Sequence, residues 1–176
     1  MKQPGTRVFI SSVVLAISTL LASQSVAYAS GPSVSGGGIV DGPLGTTSQL
    51  GFTASSSGGE FLCVMAGRSG GFAFGPWTSV SQMQVKGSVS GPVTVSGGIA
   101  SFSGTATVHV VGKTSTGEVL TATVPDVPYT SRQTAGGAGV ATHRLEVVLP
   151  GFGPMAFPAL DKDMAPLKSG HITIRR

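Results

Sequence analysis

Residues 67–71 read Gly-Arg-Ser-Gly-Gly, which fits the G-x-S-x-G pattern of a nucleophile elbow. That pattern works where a strand turns sharply into a helix and exposes the serine, with an acid and a histidine further along the chain. Here Ser69 runs into Gly70-Gly71-Phe72-Ala73-Phe74-Gly75-Pro76-Trp77, which cannot open a helix. We read the segment as a turn, since a chain this rich in Gly and Ser matches the pattern by chance. His109, His143 and His171 are the three histidines. A zinc site usually draws two ligands from one hairpin or one helix face. These three fall on three separate expected strands. By alternation His109 and His171 face away from the core, while His143 shares the register of Leu145 and Val147. We therefore read them as surface or internally satisfied histidines and expect no metal.

The acidic residues are equally scattered. Asp161-Lys162-Asp163 resembles the start of a calcium loop but lacks the Gly at position six and the closing Glu. Glu60, Glu118, Asp126 and Glu146 stand singly. Cleaving a glycosidic bond needs two carboxyls facing each other about 5–10 Å apart. Cys63 lies in the apolar run Phe61-Leu62-Cys63-Val64-Met65. A reactive thiol needs a base and an accessible, electropositive setting, so a buried, inert thiol is expected. These residues imply no catalytic group and no cofactor.

One cluster suits recognition instead. Phe72, Phe74 and Trp77 are three of the nine aromatic residues beyond residue 29. They flank Gly75-Pro76, which suggests a loop, and loops carry binding function disproportionately. If the chain has a recognition surface, we expect Phe72, Phe74 and Trp77 in it, with Arg68 as the polar anchor. The alternative is that the segment folds back and plugs one end of the domain.

The elements that would hold these residues are strands. The 176-residue chain has 27 Gly, one Cys and only 10% charged residues. Gly clusters at 36–38, 58–59, 70–71, 97–98 and 136–137 separate short Val-, Thr-, Phe- and Ile-rich runs. Such spacing marks an all-β sandwich or barrel. Strands are expected near 33–40, 47–55, 60–67, 79–87, 92–96, 99–112, 117–125, 139–149 and 170–175. In the clearest, Phe102, Gly104, Ala106, Val108 and Val110 share one face, and Ser103, Thr105, Thr107 and His109 the other. That is the period of a half-buried strand. Residues 153–168, with three prolines, are expected to form a loop. No window holds a 3.6-residue period. The expectation is one all-β domain over 30–176, an antiparallel sandwich or barrel-like domain of about 8–9 short strands.

Residues 1–29 read as a secretory signal. Lys2 and Arg7 precede an apolar run, Val8 to Ala22, and Ala27-Tyr28-Ala29 offers an A-x-A cleavage site before Ser30. The run is shorter than the ~20 residues of a membrane span, so no span is expected after cleavage. Nine basic and seven acidic residues remain beyond the cut. A net +2 so dispersed is no nucleic-acid footprint.

The order of motifs resembles the post-COAP-type domain and its relatives, a family of secreted bacterial β modules. The matching stretches are Val34-Ser35-Gly36-Gly37-Gly38, Gly51-Phe52-Thr53-Ala54, Ala100 to Val108 (ASFSGTATV) and Gly170-His171-Ile172-Thr173-Ile174. The chain departs from the family at 60–78 and lacks its acidic turn at 125–145. The resemblance implies an antiparallel β fold and an extracellular accessory or structural role, with no catalytic residues to carry over. The function expected is a secreted, non-enzymatic β module with a structural, adhesive or ligand-binding role toward a protein or carbohydrate. A small secreted hydrolase using Ser69 or a carboxylate pair is the alternative. A third reading is an envelope or assembly component that pairs through an edge strand.

Overall fold

The computed structural model describes residues 31–41, 46–66, 72–151, 153–157 and 164–176. The expected signal segment, Arg68, Ser69 and Asp161 to Asp163 lie outside these residues. Twelve strands account for most of what is described: β1 (Ser33–Asp41), β2 (Thr47–Ser55), β3 (Gly58–Ala66), β4 (Phe72–Phe74), β5 (Trp77–Val89), β6 (Thr94–Ser96), β7 (Ile99–Lys113), β8 (Val119–Thr134), β9 (Gly136–Gly137), β10 (Thr142–Leu149), β11 (Gly153–Phe157) and β12 (Ala165–Arg175). Among the described residues no helix is long and apolar enough to cross a membrane.

All pairings are antiparallel, and the hydrogen-bonded path runs β1-β2-β3-β5-β7-β8-β10. β12 then joins both ends. Its first residues pair with Thr142 and His143 of β10, and its later ones with β1 from Ser33 to Val40. The sheet thus returns on itself through eight strands, each next to its neighbour in sequence except at the β12–β1 seam. This ring-like meander is the barrel-like form of the expected all-β fold. Closure is how such a sheet removes its open edges. β4, β6, β9 and β11 are short additions that pair with β5, β7, β12 and β10.

Strict alternation decides which face is inside. Along β7, residues 100, 102, 104, 106, 108, 110 and 112 are buried. Phe52, Phe61, Phe102 and Tyr129 converge from β2, β3, β7 and β8, with ring centroids 5.2–6.3 Å apart. Gly87 and Gly104 make room for this cluster. A methyl group on either would meet the edge of the Tyr129 ring at 2.7 and 3.0 Å.

At the seam, glycine faces glycine: Gly38 pairs with Gly170. Gly170 holds φ at 103°, and side chains at Gly38 and Gly170 would run into the Ser169 and Gly37 carbonyls. A left-handed φ and so close a backbone approach both call for Gly. The Gly-Gly-Gly run is therefore the lining of the closing seam. The Lys168–Asp41 ion pair, 2.5 Å, fastens its exposed side.

Three expectations need correction. Residues 153–157 form β11 and β12 begins at Ala165, so the Pro-rich segment is not wholly loop. β8 continues past Pro125 and Pro128 to Thr134 because a bulge absorbs the first proline. Phe72 to Trp77 form a tight hairpin of β4 and β5 rather than an open loop. Gly75, at φ 53°, supplies the turn.

Closure makes a direct prediction. Deleting residues 170–176 removes the partners of Ser33 to Gly38 and, with them, the fully buried side chain of Ile172. That side chain alone contributes roughly 1.5–3 kcal/mol, against a typical net stability of about 5–15 kcal/mol. The truncated chain should lose its cooperative thermal transition or melt far lower, as circular dichroism will show. An unchanged midpoint would contradict a ring held by this seam.

Candidate functional site

Phe52, Phe61, Phe102 and Tyr129 pack together in the interior. A concavity of about 740 Å³ lies on the outer face, across β2, β3, β5, β7 and β8. Strand register builds it. Thr53, Glu60, Ser88 and Thr105 are successive cross-strand partners, one from each of four neighbouring strands. One step along lies the parallel row Gly51, Leu62, Lys86 and Thr107. Gly51 and the short hydroxyl side chains keep the floor low, while Glu60, Leu62 and Lys86 stand above it.

Asp126 completes the far wall. Ala106 pairs with Val127 but Val108 pairs with Val124, so Pro125 and Asp126 together oppose the single residue Thr107. This β-bulge re-aims the chain. Asp126 takes φ 55° and is the one non-glycine residue with positive φ among the described residues. Asp tolerates that region better than most residues. The groove therefore carries Glu60, Lys86 and Asp126 in an order of alternating charge, set among Ser and Thr hydroxyls. Among the described residues, no ion pair ties any of the three to a partner.

The residues expected to act are placed as follows. Phe72 and Trp77 are buried, at 4% and 5% exposure, and Phe74 is half-buried. Phe74 and Trp77 stack with centroids 5.8 Å apart at 7°. The Trp77 indole Nε1–H donates to the Leu120 carbonyl at 2.8 Å. The rings thus fold back into the core. They offer little open aromatic surface for a ligand, and none lines the groove.

His109 and His171 lie outward and His143 inward, so the three do not converge. His109 Nδ1 lies 2.9 Å from the Thr123 hydroxyl. His143 is 1% exposed and packs beside Phe52 and Phe61, its ring near-parallel to both at 6.2 and 6.1 Å. Its cross-strand neighbours are Gln133 and Ala165. Gln133 donates from Nε2 to the Ser131 hydroxyl at 2.5 Å. Neither ring nitrogen of His143 has a hydrogen-bond partner among the described residues, so it is buried but not satisfied. Burial holds its pKa down at about 3. The Cys63 thiol is buried, as expected, which pushes it up to about 12 despite Ser48 alongside. Glu146 pairs with Arg144 at 3.7 Å, and Glu118 sits at a hairpin end. Sequence reasoning noted Glu60 and Asp126 only as scattered acids. Their meeting depends on strand order and a bulge, which no local pattern encodes.

Two measurements follow. In the unfolded chain His143 binds a proton near pH 6.5, and in the folded chain only near pH 3. The unfolded state therefore takes up more protons as pH falls through that window, and stability falls with it. At about 1.4 kcal/mol per unit, the loss reaches roughly 4–5 kcal/mol near pH 3. Denaturant melts from pH 7 to pH 3 should show a smaller loss in His143→Phe than in the parent chain. Trp77 emission should be blue-shifted and protected from acrylamide. Trp77→Ala should cost about 3–5 kcal/mol, measured by the same melts. Comparison of the chain with known protein families, characterised proteins and solved structures finds no match.

Proposed function

We infer that the chain is an exported, non-enzymatic β module that binds a hydroxyl-rich ligand, a glycan, in the outer groove of β2, β3, β5, β7 and β8. The observation that carries this reading is the double row of hydroxyl and charged side chains over a concavity of about 740 Å³. Sugar hydroxyls both donate and accept. Glu60 and Asp126 supply strong acceptors, Lys86 supplies donors, and Thr53, Ser88, Thr105 and Thr107 supply both. The exposed face of Leu62, 40% accessible, gives an apolar contact for the flat side of a ring. Export is supported by Lys2, Arg7, the apolar run Val8 to Ala22 and the Ala27-Tyr28-Ala29 site. The resemblance to post-COAP-type modules points the same way, toward an extracellular accessory role without catalysis.

The second reading is a hydrolase using a carboxylate pair, because Glu60 and Asp126 share one groove. Strand spacing weighs against it. β3 and β8 are three neighbours apart along β3-β5-β7-β8, which is about 14 Å along the sheet. Paired carboxyls in glycosidases stand only about 5–9.5 Å apart. Lys86, Ser88, Thr105 and Thr107 occupy the space between, which suits holding a chain rather than cutting it.

The test is a glycan array of neutral and amino-sugar oligosaccharides, followed by calorimetry on each positive. Glu60→Ala and Lys86→Ala should each weaken binding about ten- to a hundredfold, the loss of one charge-assisted hydrogen bond. Thermal midpoints should stay unchanged, because both side chains are exposed. Absence of binding across the array, or wild-type affinity in both variants, would overturn the reading. Release of sugar fragments that Asp126→Asn abolishes would favour the hydrolase instead.

A further inference from the structure

β8 is longer than the strand that covers it. β10 pairs with it only from Tyr129 to Gln133, whereas β7 pairs with it back to Val119. Among the described residues, no strand pairs with the other edge of Val119 to Val124. That edge reads Val-Leu-Thr-Ala-Thr-Val, with no charge and no proline. Sheet edges are normally blunted by Lys, Pro or a bulge. Here those devices stand only at the ends, as Glu118 and as the Pro125-Asp126 bulge. Val119 is 64% and Leu120 38% exposed, two of the five exposed large hydrophobic residues among those described.

The hairpin fixes which backbone groups face out. The Gly117 N–H donates to the Thr114 carbonyl and the Thr114 N–H to the Glu118 carbonyl, both at 2.9 Å. Gly117 has φ 83°, so the turn ends in a glycine bulge. Thr114 and Glu118 are therefore a hydrogen-bonded pair, and such pairs alternate along an antiparallel ladder. The register from Lys113↔Val119 to Val108↔Val124 has no shift. It follows that Leu120, Ala122 and Val124 bond to β7. Val119, Thr121 and Thr123 aim their N–H and C=O groups at the free edge.

We propose that this edge pairs with the same edge of a second copy, antiparallel, about a two-fold axis at Thr121. In that register Thr121 exchanges both its hydrogen bonds with Thr121 of the other copy. Val119 does the same with Thr123 at each end, so every outward backbone group finds a partner. Leu120 comes beside Ala122 of the copy and loses exposed surface. Glu118 falls opposite Val124. The register one step further, centred on Ala122, fails on chemistry. It sets Val119 against Pro125, which has no N–H, and Glu118 against Asp126, a like-charge pair. A second copy is the occupant because the edge is uncharged and satisfies itself, and because isologous pairing closes after two subunits. The proposal does not rest on the groove, in which Thr121 takes no part.

The experiment uses the mature chain from Ser30 to Arg176. Light scattering behind gel filtration, from micromolar to millimolar protein, should show the mass doubling with concentration. Thr121→Pro removes an N–H that faces the edge and not β7, a position where a strand tolerates proline. It should stay monomeric at every concentration while keeping the wild-type melting curve. Cysteine cross-linking tests the register without relying on proline. Under mild oxidation Thr121→Cys should form a covalent dimer, since residue 121 meets itself. Thr123→Cys should not, since residue 123 meets Val119. Cys63 is buried and contributes no background. A wild-type chain that stays monomeric throughout, a Thr121→Pro variant that dimerises as well, or equal cross-linking at 121 and 123 would overturn the proposal.

Discussion

The meeting of β1 with β12 is the constraint on which the rest of the structure depends. Every other pairing in the ring joins strands adjacent in the eight-strand path, so segments near one another in sequence form them. The seam alone joins the two ends of the domain. It is built with little side chain on one side: Gly36 to Gly38 face Ile172 to Gly170. Without side chains there, the two backbones approach closely enough for the sheet to close. With the seam open, β1 and β12 would both become free edges, and Val34, Ile172 and Leu167, all buried, would face water.

Closure also settles what the interior can do. A ring of eight strands encloses a space narrow enough for side chains to fill. Here Phe52, Phe61, Phe102 and Tyr129 fill much of it. The same crowding explains the state of His143. Its ring packs near-parallel beside two phenylalanines, where burial suits a neutral aromatic and penalises an imidazolium. Packing gains from the ring while its nitrogens find no hydrogen-bond partner among the described residues, and burial holds its pKa down. An interior of this kind stabilises the fold.

Much of this was legible in the sequence, and the failures have physical causes. Alternation in Ile99 to Val111 marked β7 because one of its faces is uniformly buried. The inward register of His143 followed from Leu145 and Val147 in the same way. The β4–β5 hairpin is not legible because Gly75-Pro76 between aromatics reads equally as a loop, and only the pairing of Phe72 with Val80 and Phe74 with Trp77 decides it. In the sequence β8 reads as ending at Pro125 because proline ordinarily ends a strand, whereas the bulge absorbs it. The groove was least legible. Glu60, Lys86 and Asp126 are far apart in sequence, and only strand order and the inserted residue on β8 bring them to one surface. Alternation tells which face a residue occupies, but not which residues become neighbours across the sheet.

The bulge at Pro125-Asp126 links the two outer features. By adding a residue to β8, it turns Asp126 over the groove and shifts the register between the two halves of the strand. The C-terminal half runs alongside β10 and belongs to the ring. The N-terminal half follows β7 alone and extends beyond the cover that β10 provides. A proline and an acid at the junction keep any added strand from sliding into the ring itself. They do not protect the six residues before them. The domain therefore closes its sheet and still carries one uncharged edge, beside a groove whose far wall the same bulge supplies. Two copies joined along that edge would hold two grooves in a fixed relation. Binding to a repeating chain would then gain from the effective concentration of the second site, with no contact beyond those each copy already makes.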